Sequence, residues 1–132
     1  MPINKNSGRQ DVLVAFVDVD LADLASGNTQ AAIDLPHGAV LVGGDVVVKT
    51  AFNAGTTATL KVGDKNDDDR YTSTAVDIKS VGRTALTITG YTHKVGEDLK
   101  VTFAQTGTAA SAGALRLTAL YYVEGRAAFS QG

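Results

Sequence analysis

The sequence predicts an all-β domain, an antiparallel two-sheet β-sandwich that is jelly-roll-like and has about eight strands. Three observations lead there. Apolar and polar residues alternate with period two in several short runs, as in a sheet with one wet face. Turn residues separate these runs at short, regular spacing. Val, Thr and Ala are abundant, Glu and Lys are sparse, and Gly recurs at segment ends, a balance that favours strands joined by tight turns. Eight short antiparallel strands most often close as a two-sheet jelly roll.

The first strand covers roughly residues 10–18. Val12, Val14 and Phe16 point one way and Leu13, Ala15 and Val17 the other. A strand apolar on both faces is either central and covered by a loop, or part of an interface. Leu21, Leu24 and Ala25 form at most one short helical turn, with Asp20 as its cap. Ser26-Gly27-Asn28 then turns the chain into a second strand at 30–35. Pro36-His37-Gly38 leads to a third, 39–42 with 45–50. The Gly43-Gly44 pair inside it is either a two-residue hairpin or a bulge at a sandwich corner. After Asn53-Ala54-Gly55 comes a fourth strand at 57–62, with Leu60 and Val62 around Lys61. The fifth, at 73–79, sets Val76 and Ile78 around Asp77, and the sixth, at 84–89, sets Leu86 and Ile88 around Thr87.

The seventh strand, at 98–105, has the cleanest alternation: Leu99, Val101 and Phe103 against Lys100, Thr102 and Ala104. The eighth, at 114–124, places Leu115, Leu117, Ala119, Tyr121 and Val123 on one face. Its other face begins polar with Arg116 and Thr118, then turns apolar at Leu120 and Tyr122. The predicted core is Leu60, Val62, Leu86, Ile88, Val101, Phe103, Leu115 and Leu117. No repeat or linker divides the 132 residues, so the organisation expected is an N-terminal arm (1–9), one β-sandwich domain (10–127) and a C-terminal tail (128–132).

Composition removes several function classes. The net charge of -2 gives no basic footprint for nucleic acid. There is no cysteine, hence no disulfide and no thiolate metal site. The residues from Met1 to Gln10 contain no apolar stretch of the secretory type, and no run approaches the ~20 apolar residues of a membrane helix. His37 and His93 have no second histidine or carboxylate at metal-ligand spacing and are expected at the surface. No nucleophile elbow or phosphate loop occurs. The loop Asp64-Lys65-Asn66-Asp67-Asp68-Asp69-Arg70 starts like a calcium loop. It then fails, with Asp69 at the glycine position and Ala75 at the glutamate position. A solvated loop held by Asx turns is expected instead. No catalytic residue, metal or cofactor is therefore assigned, and the chain is read as a binding protein. The candidate interface residues are Lys5, Arg9, Leu13, Val17, Leu120 and Tyr122. The arm, if extended at ~3.3 Å per residue, would reach roughly 30 Å onto a neighbour.

Several runs carry a family resemblance: Ala51-Phe52-Asn53-Ala54-Gly55-Thr56-Thr57, Leu60-Lys61-Val62-Gly63-Asp64, Asp69-Arg70-Tyr71, Gly82-Arg83-Thr84-Ala85-Leu86, Gly113-Ala114-Leu115-Arg116-Leu117-Thr118 and Tyr121-Tyr122-Val123-Glu124-Gly125-Arg126. Over roughly residues 38–127 the chain resembles the jelly-roll decoration, or cement, proteins of short-tailed phage capsids, such as that of the Bordetella phage. The motifs are turn and strand residues and carry no chemistry. The resemblance implies a non-enzymatic virion protein, made in the bacterial host cytoplasm and added to the outer capsid surface. Its implied partners are the major capsid protein, whose neighbouring subunits it would clamp, and itself as a homo-oligomer. A homodimer is expected ahead of a trimer. The alternative is a carbohydrate- or receptor-binding module of a phage tail or head fibre, for which Tyr71, Tyr91, Tyr121 and Tyr122 are the available aromatics.

Overall fold

A computed structural model of the chain describes residues 11–24 and 26–124. Eight strands form: β1 Leu13–Asp20, β2 Thr29–Ile33, β3 Ala39–Thr50, β4 Thr57–Gly63, β5 Val76–Asp77, β6 Gly82–Ala85, β7 Leu99–Thr106 and β8 Ala114–Val123. One sheet has the order β1-β8-β3-β6 and the other β2-β7-β4-β5. Within them β1 pairs with β8, β2 with β7, β3 with β6 and β4 with β5, all antiparallel. First thus meets last and each inner pair follows, so the chain winds as one long hairpin rolled into two sheets. That is a jelly roll, as the alternation and turn spacing predict.

The core lies between the sheets. Leu60, Val62, Leu99, Val101, Phe103, Leu115 and Leu117 are buried on the inward faces, and Phe52 packs tilted against Phe103 with ring centroids 5.8 Å apart. The inward sets of β4, β7 and β8 are those read from period two. The sixth strand departs from expectation. It ends at Ala85, so Leu86 enters the core beyond the pairing while Ile88 is exposed. Leu86 is held there by its N–H, which donates to the Gly44 carbonyl at 3.0 Å. The fifth strand is only two residues long, although the Ile78 N–H just beyond it still donates to the Ala58 carbonyl of β4 at 3.0 Å.

Gly43-Gly44 is a bulge inside a continuous β3. The pairing with β8 slips between Leu41 and Gly43, and both flanking halves stay in the same sheet. Gly44 sits at φ 147°, and a Cβ there would lie 2.5 Å from the Thr118 carbonyl oxygen. We expect Gly44→Ala to lower stability by ~1–3 kcal/mol through strain and close approach. An unchanged urea midpoint would contradict this.

The first strand is an edge strand, with β8 on one side and no neighbouring strand on the other among the described residues. It is therefore not central, and its outward residues are exposed among the described residues. Leu21–Asp23 forms the short turn expected after it, of 3-10 type.

Candidate functional site

The outer face of the first sheet is the surface that stands out. Along β1 the inward residues Leu13, Ala15 and Val17 are half-buried, and Ala15 and Val17 pack on the core. The outward residues Val14 and Phe16 are 60% and 59% exposed, and Val12 just before them is 53% exposed. Leu13 and Val17 thus belong to the sandwich's own inner side. Leu13 and Val17 are the interface residues expected of this strand, but its exposed apolar surface is made by the opposite set, Val12, Val14 and Phe16.

Leu120 and Tyr122 of β8 share this outer face. Val14 lies opposite Leu120 and Phe16 opposite Thr118. Leu120 is half-buried because it lies over Gly43, whose missing side chain makes room at 3.2 Å from the Leu120 Cδ1. Val42, pushed outward at the bulge, is exposed nearby in sequence and strand. Lys5 and Arg9 lie outside the described residues.

The other end of the same face is charged. Asp18 lies opposite Arg116 and accepts from its Nε at 2.8 Å and from Lys49 Nζ at 2.9 Å. Hydrogen bonds from Arg116 and then Lys49 hold the Asp18 carboxyl down at about 2. The Arg116 guanidinium also lies 5.1 Å from the Phe16 ring centroid. Asp45 accepts from Arg83 at 2.6 Å. The apolar stripe therefore has a rim whose charges already satisfy one another.

The outer face of the second sheet differs. Thr29 and Thr102 share a hydrogen bond of 2.8 Å, and Thr57 and Thr106 share one of 2.6 Å. This face also carries Lys61 and Lys100, and it offers no exposed large apolar side chain among the described residues of its four strands. The two faces are thus unlike.

One group of residues outside the interface was expected at the surface and is not. His93 has no solvent exposure. Its Nδ1–H donates to the Glu97 carbonyl at 2.7 Å, which leaves Nε2 to accept from the Tyr71 hydroxyl at 2.6 Å. Tyr71 is also fully buried, and burial raises its hydroxyl pKa. The Glu97 carboxylate is held below its usual range by the Tyr91 hydroxyl, which donates at 2.6 Å, and takes a further bond from Asn66 at 3.1 Å. Arg70 stacks 3.6 Å over the Tyr91 ring and reaches Asp64, Nε to Oδ2, at 2.6 Å. Asp64 is 1% exposed and also accepts the N–H groups of Asn66 and Asp67.

This network ties the 64–71 loop to the 87–98 loop. The second loop is stitched in turn to the start of β3 by the His93 N–H to the Ala39 carbonyl at 2.8 Å. The Asx turns anticipated from the sequence are present, but Asp64 is sealed rather than solvated. Sequence reading missed the cluster because loops carry no periodicity. A lone tyrosine directly after three aspartates and an arginine was the available signal. Sealed from solvent, the Tyr71–His93 pair cannot touch a substrate, and its role is structural.

Asp67, Asp68 and Asp69 bring their carboxylates close together. A side-chain hydrogen bond with Asp67 pushes the Asp69 carboxyl up. Lys61 approaches Asp68 at 3.8 Å. Asp64 points into its pair with Arg70 and so is spent for a calcium loop. Calorimetric titration is expected to show no calcium binding tighter than about millimolar, and a micromolar site would contradict this geometry.

No family model matches the chain, and no curated protein matches it. Solved structures do. A chain of the cyanophage Pam1 capsid asymmetric unit matches with a TM-score of 0.70 at 22% identity, covering 93% of this chain and 91% of that one. A chain from the acid-stable capsid of Helicobacter pylori bacteriophage KHP30 matches with a TM-score of 0.66 at 16% identity, covering 87% and 90%. A chain from the capsid of Ralstonia phage GP4 matches with a TM-score of 0.60 at 22% identity, covering 96% and 93%. This jelly roll is therefore a fold found, at nearly full length, in chains of phage capsids.

Proposed function

We propose that the chain is a structural virion protein that binds the outer surface of an assembled phage capsid and clamps neighbouring major coat protein subunits. The observation that carries this reading is the exposed stripe Val12–Val14–Phe16 with Leu120 at an open sheet edge, on a fold shared with phage capsid chains. A clamp needs a rigid platform and an adhesive side, and the two unlike outer faces supply that polarity. A protein that binds the assembled shell but not free coat subunits stabilises the shell by mass action. The near-neutral net charge makes long-range steering weak, so affinity comes from contact area, of which a stable contact needs more than ~1,000 Å². Residues 2–9, with Lys5 and Arg9, add to that area in this account.

The test is co-sedimentation of the chain with particles assembled from the coat protein encoded beside it, followed by heating. Bound chain should raise the temperature at which particles break. Deleting residues 2–9 should leave folding intact and weaken binding. Failure of the full chain to bind or protect particles would overturn the reading. The apolar face also gives a second copy a place to pack, with a homodimer ahead of a trimer. A monomer in sedimentation at micromolar concentration would remove that part. Of the tyrosines named for the receptor-binding alternative, Tyr71 is buried in the core and Tyr91 is engaged by Glu97 and Arg70, which weakens that reading.

A further inference from the structure

The two edge strands β1 and β2 lie on the same side of the sandwich, one from each sheet, and touch. Between them the sandwich stays open as a cleft of about 310 Å³. Val17, Val19, Leu24, Ala32 and Val101 supply its apolar lining. Asp18 and Asp23 also line it, and no basic residue does among the described residues. Asp18 is taken by Arg116 and Lys49, whereas neither Asp20 nor Asp23 has an ion-pair partner among the described residues.

Natural edge strands are protected by Lys, Pro, bulges or a covering segment. Charge is a further such device, and β1 carries it only at Asp18 and Asp20, so among the described residues its Leu13–Val17 part has none of them. Its sequence Leu13–Asp20 contains no Lys and no Pro, and its register with β8 runs without a shift. A strand added to such an edge would alternate its side chains between the two faces. One set would enter the cleft beside Val17 and Val19. The other would extend the Val14–Phe16 stripe.

We propose that β1 is a strand-acceptor edge, to which an extended segment of the coat protein adds by β-augmentation. The proposal rests on the capsid reading for the identity of that partner, not for the existence of the edge. The segment it fits is apolar at alternate positions and carries a lysine or arginine where it meets Asp20 and Asp23. Main-chain hydrogen bonds give affinity, the cleft selects the inward side chains, and the acidic end fixes the direction of the added strand.

Two labelled peptides probe the edge without any capsid: a decapeptide of alternating valine and threonine ending in two lysines, and the same peptide ending in two glutamates. Fluorescence anisotropy should show saturable binding of the lysine peptide and binding about tenfold weaker or less for the glutamate peptide. Ala32→Leu, which fills the cleft, should weaken the lysine peptide about tenfold, as should Val14→Lys with Phe16→Lys, which charges the edge. Urea midpoints identify any variant that fails to fold, and the exposed Val14/Phe16 pair keeps the test open if Ala32→Leu does. No saturable binding by the wild type, or equal affinities across the folded variants, would overturn the acceptor edge. In co-sedimentation with particles, a folded Ala32→Leu variant that binds as well as the wild type would overturn augmentation and leave the capsid reading standing, because Ala32 lines the cleft and not the Val14–Phe16 stripe. A wild type that binds the peptide but not particles would do the reverse.

Discussion

Phe103→Ala is expected to destabilise the domain by ~3–5 kcal/mol, the range for removing a fully buried aromatic ring. Phe103 is 1% exposed at the centre of β7, opposite Leu60 of β4 and against the Phe52 ring. Truncation leaves a cavity between the sheets that β7 cannot move to close, because it is paired on both sides, to β2 and to β4. The urea midpoint should fall sharply with no change in slope. An unchanged midpoint would show that the inward register of β7 is wrong, since a one-residue slip exposes the whole set.

Asp64→Ala should cost several kcal/mol, approaching the ~3–5 kcal/mol for removing one partner of a fully buried ion pair, since Asp64 is buried and Arg70 half-buried. The loss has three parts in the structure: the Arg70 guanidinium is left without its carboxylate, and the Asn66 and Asp67 N–H groups lose their acceptor. The same site sets a pH dependence. Burial pushes the Asp64 carboxyl up, but Arg70 and the two N–H groups outweigh it, so the net shift is downward. A carboxyl lowered in the folded state contributes stability above its unfolded pKa of ~3.9 and loses it as pH falls through the folded value. Stability should therefore drop in acid below about pH 4, and Asp64→Asn should flatten that part of the profile. An Asp64→Asn protein with the wild-type acid profile would show that other carboxylates dominate it.

Much of the fold was legible because strands write their burial with period two. β7 and β8 show this best: Leu99, Val101 and Phe103, and Leu115 and Leu117, are all inward as read. Reading weakened where the chain leaves the ladder. Ile88 alternates correctly with Leu86 in sequence, yet β6 stops at Ala85 and the period has no sheet to act on. His93 looked superficial because it lies between turn glycines, but a loop can carry a core residue when backbone hydrogen bonds stitch it to β3.

The proposed interface was half legible. The sequence marks β1 as apolar on both sides, and Leu120 and Tyr122 as out of place on a polar face. Which face of β1 is free depends on the strand's position in the sheet, a long-range property that local alternation does not encode. Its edge position exposes Val14 and Phe16 and turns Leu13 and Val17 inward. The cleft beside β1 is equally hard to read locally, since it exists only because the consecutive strands β1 and β2 end different sheets on the same side.

The central claim is attachment to the outside of a capsid through the β1 side of the first sheet. Electron cryomicroscopy of particles incubated with the chain tests it most directly. The account predicts density for the jelly roll on the outer surface, across a junction between coat subunits, with β1, Val14 and Phe16 against the shell and the threonine face of the second sheet toward solvent. Bare particles after incubation, or density with the threonine face against the shell and β1 in solvent, would contradict it.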